Sequence, residues 1–208
     1  MKPEPTVPDA VSRLFPGRSG HICAYADLLA GEAVARGLLG PREASRLWER
    51  HILNCGVVAP LFRSGTTLAD VGSGAGLPGL VLAIARPDVR VTLIEPLLRR
   101  FTFLTEVADR LELTVEVVRA RAEELHRKRR FDYVTARAVA PLGRLAALSL
   151  PLCAEGGEVV AWKGSSAAEE VSAARSALQE YKAASVVIEH YGAGVVTPPA
   201  TVVRIQSP

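Results

Sequence analysis

Residues 70–79 read DVGSGAGLPG, with glycine at positions 72, 74, 76 and 79. Glycine adopts a positive φ at little steric cost and lets the main chain come close to a ligand. The apolar segment TLADV precedes this stretch and GLVLAIA overlaps its end, which predicts a strand, a glycine-rich turn and a helix. In such an arrangement the N–H groups at the start of the helix face whatever the turn holds. The stretch therefore predicts a ligand-binding loop.

Short β-rich segments alternate with helical ones from Thr66 onward. The strand candidates are TLADV, RVTLIE, VEVV, FDYVTA, EVVAWKG, SVVIEHY and TVVRIQ. This alternation predicts βαβ units and an α/β fold with a mostly parallel, seven-stranded sheet. Only GAGVVTPPA separates the last two candidates, which is too short for a crossover helix. We therefore expect a C-terminal antiparallel hairpin.

Three regions follow one another along the chain. Residues 1–20 contain four prolines and predict a flexible tail. Residues 21–65 have apolar positions three and four apart, which predicts an N-terminal helical extension, with Pro41 in the first turn of its second helix. Residues 66–208 form the predicted α/β domain.

Composition narrows the class of protein. A hydrophobic content of 49% and a charged content of 23% are typical of a globular protein, and no apolar run is long enough for a bilayer. The N-terminus lacks the pattern of a signal peptide, so we expect a cytoplasmic protein. The cysteines, Cys23, Cys55 and Cys153, are scattered, which predicts neither disulfides nor a metal site.

An acidic residue at the end of the next predicted strand indicates the class of ligand. Glu95 ends the next predicted strand, where a carboxylate can accept hydrogen bonds from ribose hydroxyls, so the loop and Glu95 together predict an adenosine-type ligand. Residues 74–79 also match the dinucleotide pattern G-x-G-x-x-G, which leaves an NAD(P)-dependent oxidoreductase as an alternative. Three observations oppose it. Gly72 already takes the first glycine position of that pattern, and Leu77 stands where the third glycine belongs. Asp70 would repel a pyrophosphate, but it could accept a hydrogen bond from an ammonium group. No second domain is evident for a hydride acceptor.

The pattern Asp-x-Gly-x-Gly-x-Gly resembles motif I of the S-adenosylmethionine-dependent methyltransferases. More specifically, six segments between Trp48 and Gly164 resemble the rRNA small subunit methyltransferase G family, also known as glucose-inhibited division protein B. These segments are WERHILN, DVGSGAGLPG, EPLLRRFTFLTEV, RARAEE, TARAVAPL and AWKG. The resemblance implies a Rossmann-like methyltransferase fold and transfer of a methyl group from S-adenosylmethionine to N7 of guanine 527 in 16S rRNA.

The cofactor-binding prediction combines the loop, the acid and the family motifs. The resemblance implies contacts from Gly72, Leu77, Ala122, Glu123 and Arg137, while the ribose role of Glu95 follows from its position. Ala122, Glu123 and Arg137 also follow predicted strands, where ligands bind in open α/β sheets. The full predicted set is Gly72, Ser73, Gly74, Gly76, Leu77, Glu95, Ala122, Glu123 and Arg137.

Guanine N7 carries a lone pair and no proton, so its methylation needs alignment but no general base. We therefore predict no catalytic acid or base, with an orienting role for Arg137. The predicted partner is 16S rRNA or the small ribosomal subunit. We expect the protein to be a monomer that binds neither a metal ion nor a membrane. An inactive RNA-binding module with the same fold is a second alternative.

Arginine suits RNA because it pairs phosphates and stacks on bases. Each RNA-binding interpretation has a structural alternative. The basic run 127–130 could be a solvated loop, His51 could be a structural histidine, and Lys163 could cap a turn. Trp48 and Trp162 are expected in the core. The RNA-contact candidates are Arg50, His51, Arg99, Arg100, Arg127, Lys128, Arg129, Arg130 and Lys163.

Overall fold

The computed structural model describes residues 9–208. Its N-terminal part is helical, but only partly in regular α-helix. The segments are α1 (Ala10–Leu14), α2 (Ser19–Leu28), a π-helical turn (Leu29–Ala33), a 3-10 turn (Ala44–Arg46), a second π-helical turn (Leu47–Leu53), α3 (Asn54–Gly56) and a 3-10 turn (Ala59–Leu61).

Two details of the N-terminal prediction need correction. The predicted tail over residues 1–20 is wrong from Ala10 onward, because α1 is helical and Phe15 is fully buried. The Phe15 ring packs so closely on Gly56 that a Cβ there would lie 2.8 Å from it. Residues 1–8 of the predicted tail lie outside the described residues. Pro41 precedes the helical turns and does not begin one, since it lies in a non-helical turn.

The seven predicted strands form one sheet in the order β3-β2-β1-β4-β5-β7-β6. The first five strands in this order are parallel, and β7 pairs antiparallel with both β5 and β6, so the predicted α/β sheet and its terminal hairpin are confirmed. The strands are β1 (Thr67–Val71), β2 (Arg90–Ile94), β3 (Val115–Val118), β4 (Phe131–Arg137), β5 (Cys153–Lys163), β6 (Ser185–Tyr191) and β7 (Ala200–Gln206).

Helices cover both faces of the sheet. They are α4 (Gly79–Ala85), α5 (Leu98–Arg110), α6 (Ala122–Leu125), α7 (Leu142–Ser149), a 3-10 turn (Leu150–Leu152), α8 (Ala167–Ala173) and α9 (Arg175–Glu180). Successive strand residues point to opposite faces, so Leu68 and Ala69 belong to different cores. The first core joins α4, α5 and the N-terminal helices to one face of the sheet, and the second joins α6–α9 to the other face. Trp48 and Trp162 lie in the first core, as expected.

The parallel strands give the sheet two distinct edges. At the carboxyl edge, β1–β4 end and lead into residues 72–79, 95–98, 119–121 and 138–141. At the amino edge, the same strands begin. Because ligands of open α/β sheets bind beyond the carboxyl ends of the strands, the carboxyl edge is where the site is sought.

Residues 9–208 contain no helix that is both long and apolar enough to cross a membrane. Within the same range, no group of three or more His, Cys, Asp or Glu side chains is placed to hold a metal ion.

Candidate active site

The glycine loop between β1 and α4 lies at the carboxyl edge. Gly72, Gly74 and Gly76 all have positive φ, at 67°, 60° and 101°. A Cβ on Gly72 would lie 2.9 Å from Val139, and one on Gly76 would lie 2.7 Å from the Tyr25 hydroxyl. A Cβ on Gly74, by contrast, would meet nothing nearer than the Gly72 carbonyl oxygen at 3.8 Å. Gly74 is therefore the loop position whose missing side chain leaves open space.

Most N–H groups of this loop are engaged within the protein. Gly72 and Ser73 donate to the Ile94 carbonyl, and Gly76 and Leu77 donate to the Ser73 carbonyl. At the start of α4, Gly79 donates to Asp70. The expectation that these N–H groups face the ligand is therefore wrong for each of them. Since an anion needs such donors, the loop is poorly suited to a pyrophosphate.

Asp70 is a structural acid in this arrangement. It is fully buried at the end of β1, where its Oδ2 accepts from the Gly79 N–H at 3.0 Å and its Oδ1 accepts from the Thr135 hydroxyl at 3.0 Å. Burial raises the pKa of Asp70 to about 7, against the hydrogen bonds that favour its ionised form. Because Asp70 is fully buried and joins the start of α4 to β4, its role here is structural, and its suggested contact with an ammonium group stays a prediction.

Glu95 connects the glycine loop to β2. Its buried carboxylate accepts from the Gly74 N–H at 3.0 Å and from the Leu97 N–H at 3.0 Å. The Arg100 guanidinium lies 3.7 Å from the same oxygen that binds Gly74. The structure thus brings the predicted loop and the predicted acid together, although the ribose contact stays a prediction.

Tyr25 supports the loop from the N-terminal helices. It is fully buried in α2, and its hydroxyl donates to the Ala75 carbonyl oxygen at 2.8 Å. Tyr25 is not among the site residues predicted from the sequence. Its place in an apolar helical pattern predicts burial, but nothing local indicates a contact with a loop fifty positions later.

A chain of polar contacts joins β4 to the π-helical turn Leu47–Leu53 and to Glu43 before it. The Arg137 guanidinium donates to the Arg50 carbonyl at 2.7 Å and lies 2.9 Å from His51 Nδ1, while His51 Nε2 lies 2.7 Å from Glu43. Because Arg137 can only donate, Nδ1 accepts and the proton of His51 is on Nε2. Burial and then Arg137 lower the pKa of His51, against the opposing effect of Glu43, so the ring is neutral near pH 7.

Comparison with known proteins identifies the family of this chain. The family model described as rRNA small subunit methyltransferase G matches residues 19–196. The chain belongs to that family. The resemblance drawn from the sequence motifs is therefore confirmed, and the oxidoreductase alternative is not supported.

Several similar proteins bear the name ribosomal RNA small subunit methyltransferase G. The one from Salinispora tropica is 51% identical and the alignment covers 98% of this chain and 87% of that protein. Those from Nocardioides sp. and Streptomyces coelicolor are each 52% identical, with 97% of this chain covered and 81% and 85% of the relatives.

Solved structures with the same fold are also methyltransferases. An S-adenosylmethionine-dependent O-methyltransferase from Thermotoga maritima has a TM-score of 0.58 at 14% identity, covering 79% of this chain and 69% of that one. The N-methyltransferase NodS from Bradyrhizobium japonicum has a TM-score of 0.55 at 14% identity, covering 85% and 97%. At this identity they show the fold alone, and the predicted Rossmann-like methyltransferase fold is confirmed.

The remaining cofactor residues predicted from the family motifs lie where expected. Ala122 is buried and Glu123 is exposed at the start of α6, which follows β3 at the carboxyl edge. Leu77 is half-buried in the glycine loop, and the Ser73 hydroxyl donates to the Asp70 carbonyl. Arg137 lies at the end of β4, but its guanidinium contacts Arg50 and His51 of the N-terminal helices. Their contacts with a cofactor stay predictions.

The RNA-contact candidates of this family member separate into three groups. Arg50, Arg99 and Arg100 lie near the carboxyl edge and are exposed or half-buried. His51 and Lys163 both have protein partners, which fits the structural alternatives, and their RNA contacts stay untested. His51 has protein partners on both ring nitrogens, and the largely buried Lys163 ammonium donates to the Ala140 carbonyl at 3.0 Å and to Glu170 at 2.7 Å.

The basic run forms the third group and lies at the other edge of the sheet. Residues 127–130 precede β4, whereas the glycine loop follows β1, the neighbouring parallel strand. Six residue steps of strand, from Phe131 to Arg137, correspond to about 20 Å at ~3.3 Å per step. The run is therefore far from the candidate active site.

Proposed function

We propose that this chain transfers a methyl group from S-adenosylmethionine to N7 of a guanine in 16S rRNA. The observation that carries the proposal is the Gly74 turn, which leaves open space and whose N–H is held by the buried Glu95 carboxylate, in a member of the rRNA small subunit methyltransferase G family. The turn offers a close approach to the main chain and an acid, but few of the donors that a phosphate needs.

The residues present fit S-adenosylmethionine. The open side of Gly74 is a space that a Cβ would fill, and Glu95 has lone pairs left after its two N–H contacts to accept ribose hydroxyls. When bound, the cofactor supplies an electrophilic methyl group on a sulfonium centre. A ligand of this charge suits a loop backed by two acids better than a pyrophosphate does.

Exposed apolar side chains flank the same space. Leu97 and Leu98, 52% and 55% exposed, follow Glu95 after one proline, and Val139, 37% exposed, contacts Gly72. Among residues 9–208, the other large apolar side chains with comparable exposure lie on the edge strand β6. Apolar side chains that stay exposed beside a glycine loop suit a ligand surface, here for adenine and for the target base.

The chemistry assigned to these residues is positioning. Guanine N7 needs no proton removed, and the acids near the loop are already committed, Asp70 to Gly79 and Thr135, and Glu95 to Gly74 and Leu97. We therefore assign no general base. The chain's contribution is to align the two reactants and exclude water from between them.

Arginines near the carboxyl edge supply the charge for RNA. Arg50, with a side chain 51% exposed, is only loosely paired with Glu43 at 3.5 Å, and Arg99 is exposed near Gly37. Both can reach phosphates without leaving a buried partner. We propose that they bind the nucleotides next to the target guanine.

The binding test is calorimetry with S-adenosylhomocysteine and, separately, with NAD(P). We expect binding of the first and none of the second. Binding of NAD(P) alone would overturn the cofactor assignment.

The activity test compares 16S rRNA from cells with and without this chain, mapped by chemical cleavage at 7-methylguanine. We expect one cleavage site that depends on the chain. Identical cleavage patterns would contradict the reaction, and RNA binding without modification in the presence of S-adenosylmethionine would favour the inactive RNA-binding module.

A further inference from the structure

The amino edge of the sheet holds a basic cavity that the proposed methyl transfer does not use. It has a volume of about 580 Å³ and is lined by the starts of β1–β4. Four cations line it, Arg90, Lys128, Arg129 and Arg130, against one carboxylate, Glu116. The excess of positive charge indicates an anionic partner.

Arg129 is the anchor of this surface. Its two terminal nitrogens lie 2.8 and 2.5 Å from the two oxygens of Glu116, and its guanidinium lies 5.3 Å from the centre of the Phe131 ring. The bidentate pair neutralises the one acid in the cavity and fixes the loop to β3. No carboxylate in the lining of the cavity is then left to neutralise the other basic residues of the run.

The remaining cations are exposed. Arg90 begins β2 and is exposed, as are Arg127, Lys128 and Arg130 in the loop before β4. Among the described residues none of these four forms an ion pair. Arg130 donates to the Arg129 carbonyl, which keeps its guanidinium near the loop.

Several separate cations spread over two chain segments suit a chain of phosphates better than one small anion. The surface lies about 20 Å from the carboxyl edge, by the strand length from Phe131 to Arg137 at ~3.3 Å per residue. That distance corresponds to about six stacked nucleotides at ~3.4 Å each along one strand. A phosphate bound here therefore belongs to a different stretch of RNA from the base at Gly74.

We propose that Arg90, Arg127, Lys128 and Arg130 form a second RNA contact, which binds backbone phosphates of the substrate at a distance from the methylated guanine. The inference rests on the proposed function for the identity of the RNA. It predicts that full recognition needs an RNA long enough to reach both edges of the sheet, and that a short hairpin carrying the target guanine uses the carboxyl edge alone.

The test is the double variant K128E/R130E, with R175E/K182E as the matched control. The control makes the same charge change at exposed positions in and just after α9, which packs on the second core. Binding is measured without cofactor, over a salt series, for complete 16S rRNA and for a short hairpin around the target guanine. S-adenosylhomocysteine affinity and the thermal midpoint are measured for each variant.

We expect K128E/R130E to bind complete 16S rRNA at least about tenfold more weakly than the unchanged chain, with a salt slope reduced by roughly 1.5 to 2. Its affinity for the hairpin and for S-adenosylhomocysteine should be unchanged, and the control should match the unchanged chain throughout. R90E, on another strand, should act in the same direction.

An equal loss in the control variant would overturn the proposal, since it would reveal a general effect of net charge. An equal loss for the hairpin, or no loss for complete 16S rRNA, would do the same. These readouts need no turnover, so failure of the methyl-transfer proposal is detected separately, as absence of 7-methylguanine with the unchanged chain.

Discussion

Gly74 and Gly76 share a positive φ but differ in what their missing side chains face. Asp tolerates the left-handed region better than most residues, and a Cβ at Gly74 would meet nothing nearer than 3.8 Å, so G74D should fold with a strain of about 1 kcal/mol and a thermal midpoint lowered by a few degrees. Its carboxylate should fill the open space beside Glu95 and lower S-adenosylhomocysteine affinity by at least about tenfold, an effect of ~1.4 kcal/mol. Calorimetry measures the affinity, and undiminished binding would contradict the placement.

Gly76 provides the matched comparison. A Cβ at this position would collide with Leu80 and lie 2.7 Å from the Tyr25 hydroxyl, so G76A should destabilise the protein by about 1–3 kcal/mol. Urea unfolding measures the loss. Equal stability of G76A and the unchanged chain would mean that the loop packs less tightly than described.

Asp70 predicts an unusual dependence of stability on pH. Its pKa is about 7 in the folded protein and near 3.9 in an unfolded chain, so the folded state keeps the proton to higher pH. Ionising Asp70 therefore opposes folding, and its contribution lowers the free energy of unfolding as pH rises from about 4 to about 7, by at most ~1.4 kcal/mol per pH unit.

The D70N variant isolates this effect. Asn keeps an acceptor for the Gly79 N–H and a donor for the Thr135 hydroxyl, without a charge. Relative to the unchanged chain, D70N should gain stability as pH rises from about 4 to about 7. Urea unfolding at several pH values measures the difference, and a difference that is constant with pH would refute the assignment.

At the scale of elements, α2 positions the glycine loop through one hydroxyl. Y25F removes the donor to the Ala75 carbonyl and leaves a buried acceptor without a partner, which costs about 1–3 kcal/mol. We expect lower stability and weaker S-adenosylhomocysteine binding together, because the loop loses its support. Unfolding and calorimetry measure the two effects.

Y133F is the control for Y25F. Tyr133 is also buried in the first core, beside Phe62, and its hydroxyl forms no hydrogen bond within residues 9–208. It should change cofactor affinity little. A loss of affinity in Y133F as large as that in Y25F would contradict a specific role for the contact with Ala75.

The strands and their order of pairing at the hairpin were predictable because local patterns determine them. Short β-rich segments between helical ones mark β1–β7, and the βαβ spacing puts Glu95 beside Gly74. The contact between Tyr25 and Ala75 and the chain from Arg137 to Glu43 were not predictable, because they join segments far apart in sequence. The glycine pattern likewise predicts φ values but not which acceptors the loop N–H groups find.

The location of the basic run shows the same limit. Its composition indicates anion binding, but only the strand direction reveals that it lies at the amino edge. The N-terminal π-helical turns were also missed, since a three-and-four apolar spacing does not distinguish them from regular α-helix.

At the scale of the whole molecule, the division at residue 65 stays a prediction, and the shared first core bears on it. The N-terminal helices bury Phe15, Tyr25 and Leu29 in the same cluster as Leu68 of β1 and Leu80 of α4. A chain of residues 66–208 would expose that face of the sheet. We expect it to lack a cooperative urea transition and to aggregate.

Circular dichroism and urea unfolding of the 66–208 chain provide the measurement, with residues 9–65 added as a separate chain for comparison. Recovery of a cooperative transition on addition would support the shared core. A cooperative transition in the 66–208 chain alone would establish it as an independent domain and contradict this prediction.

The two hydrogen bonds of Glu95 have a kinetic consequence. The carboxylate fixes Gly74 and Leu97 through contacts within the protein, so the shape of the turn depends on protein partners. We therefore expect S-adenosylmethionine to bind with little rearrangement of the turn. The observed binding rate should then rise linearly with the concentration of the cofactor, without a plateau. We expect the spent cofactor to leave as readily, because its release breaks none of the contacts that hold the turn.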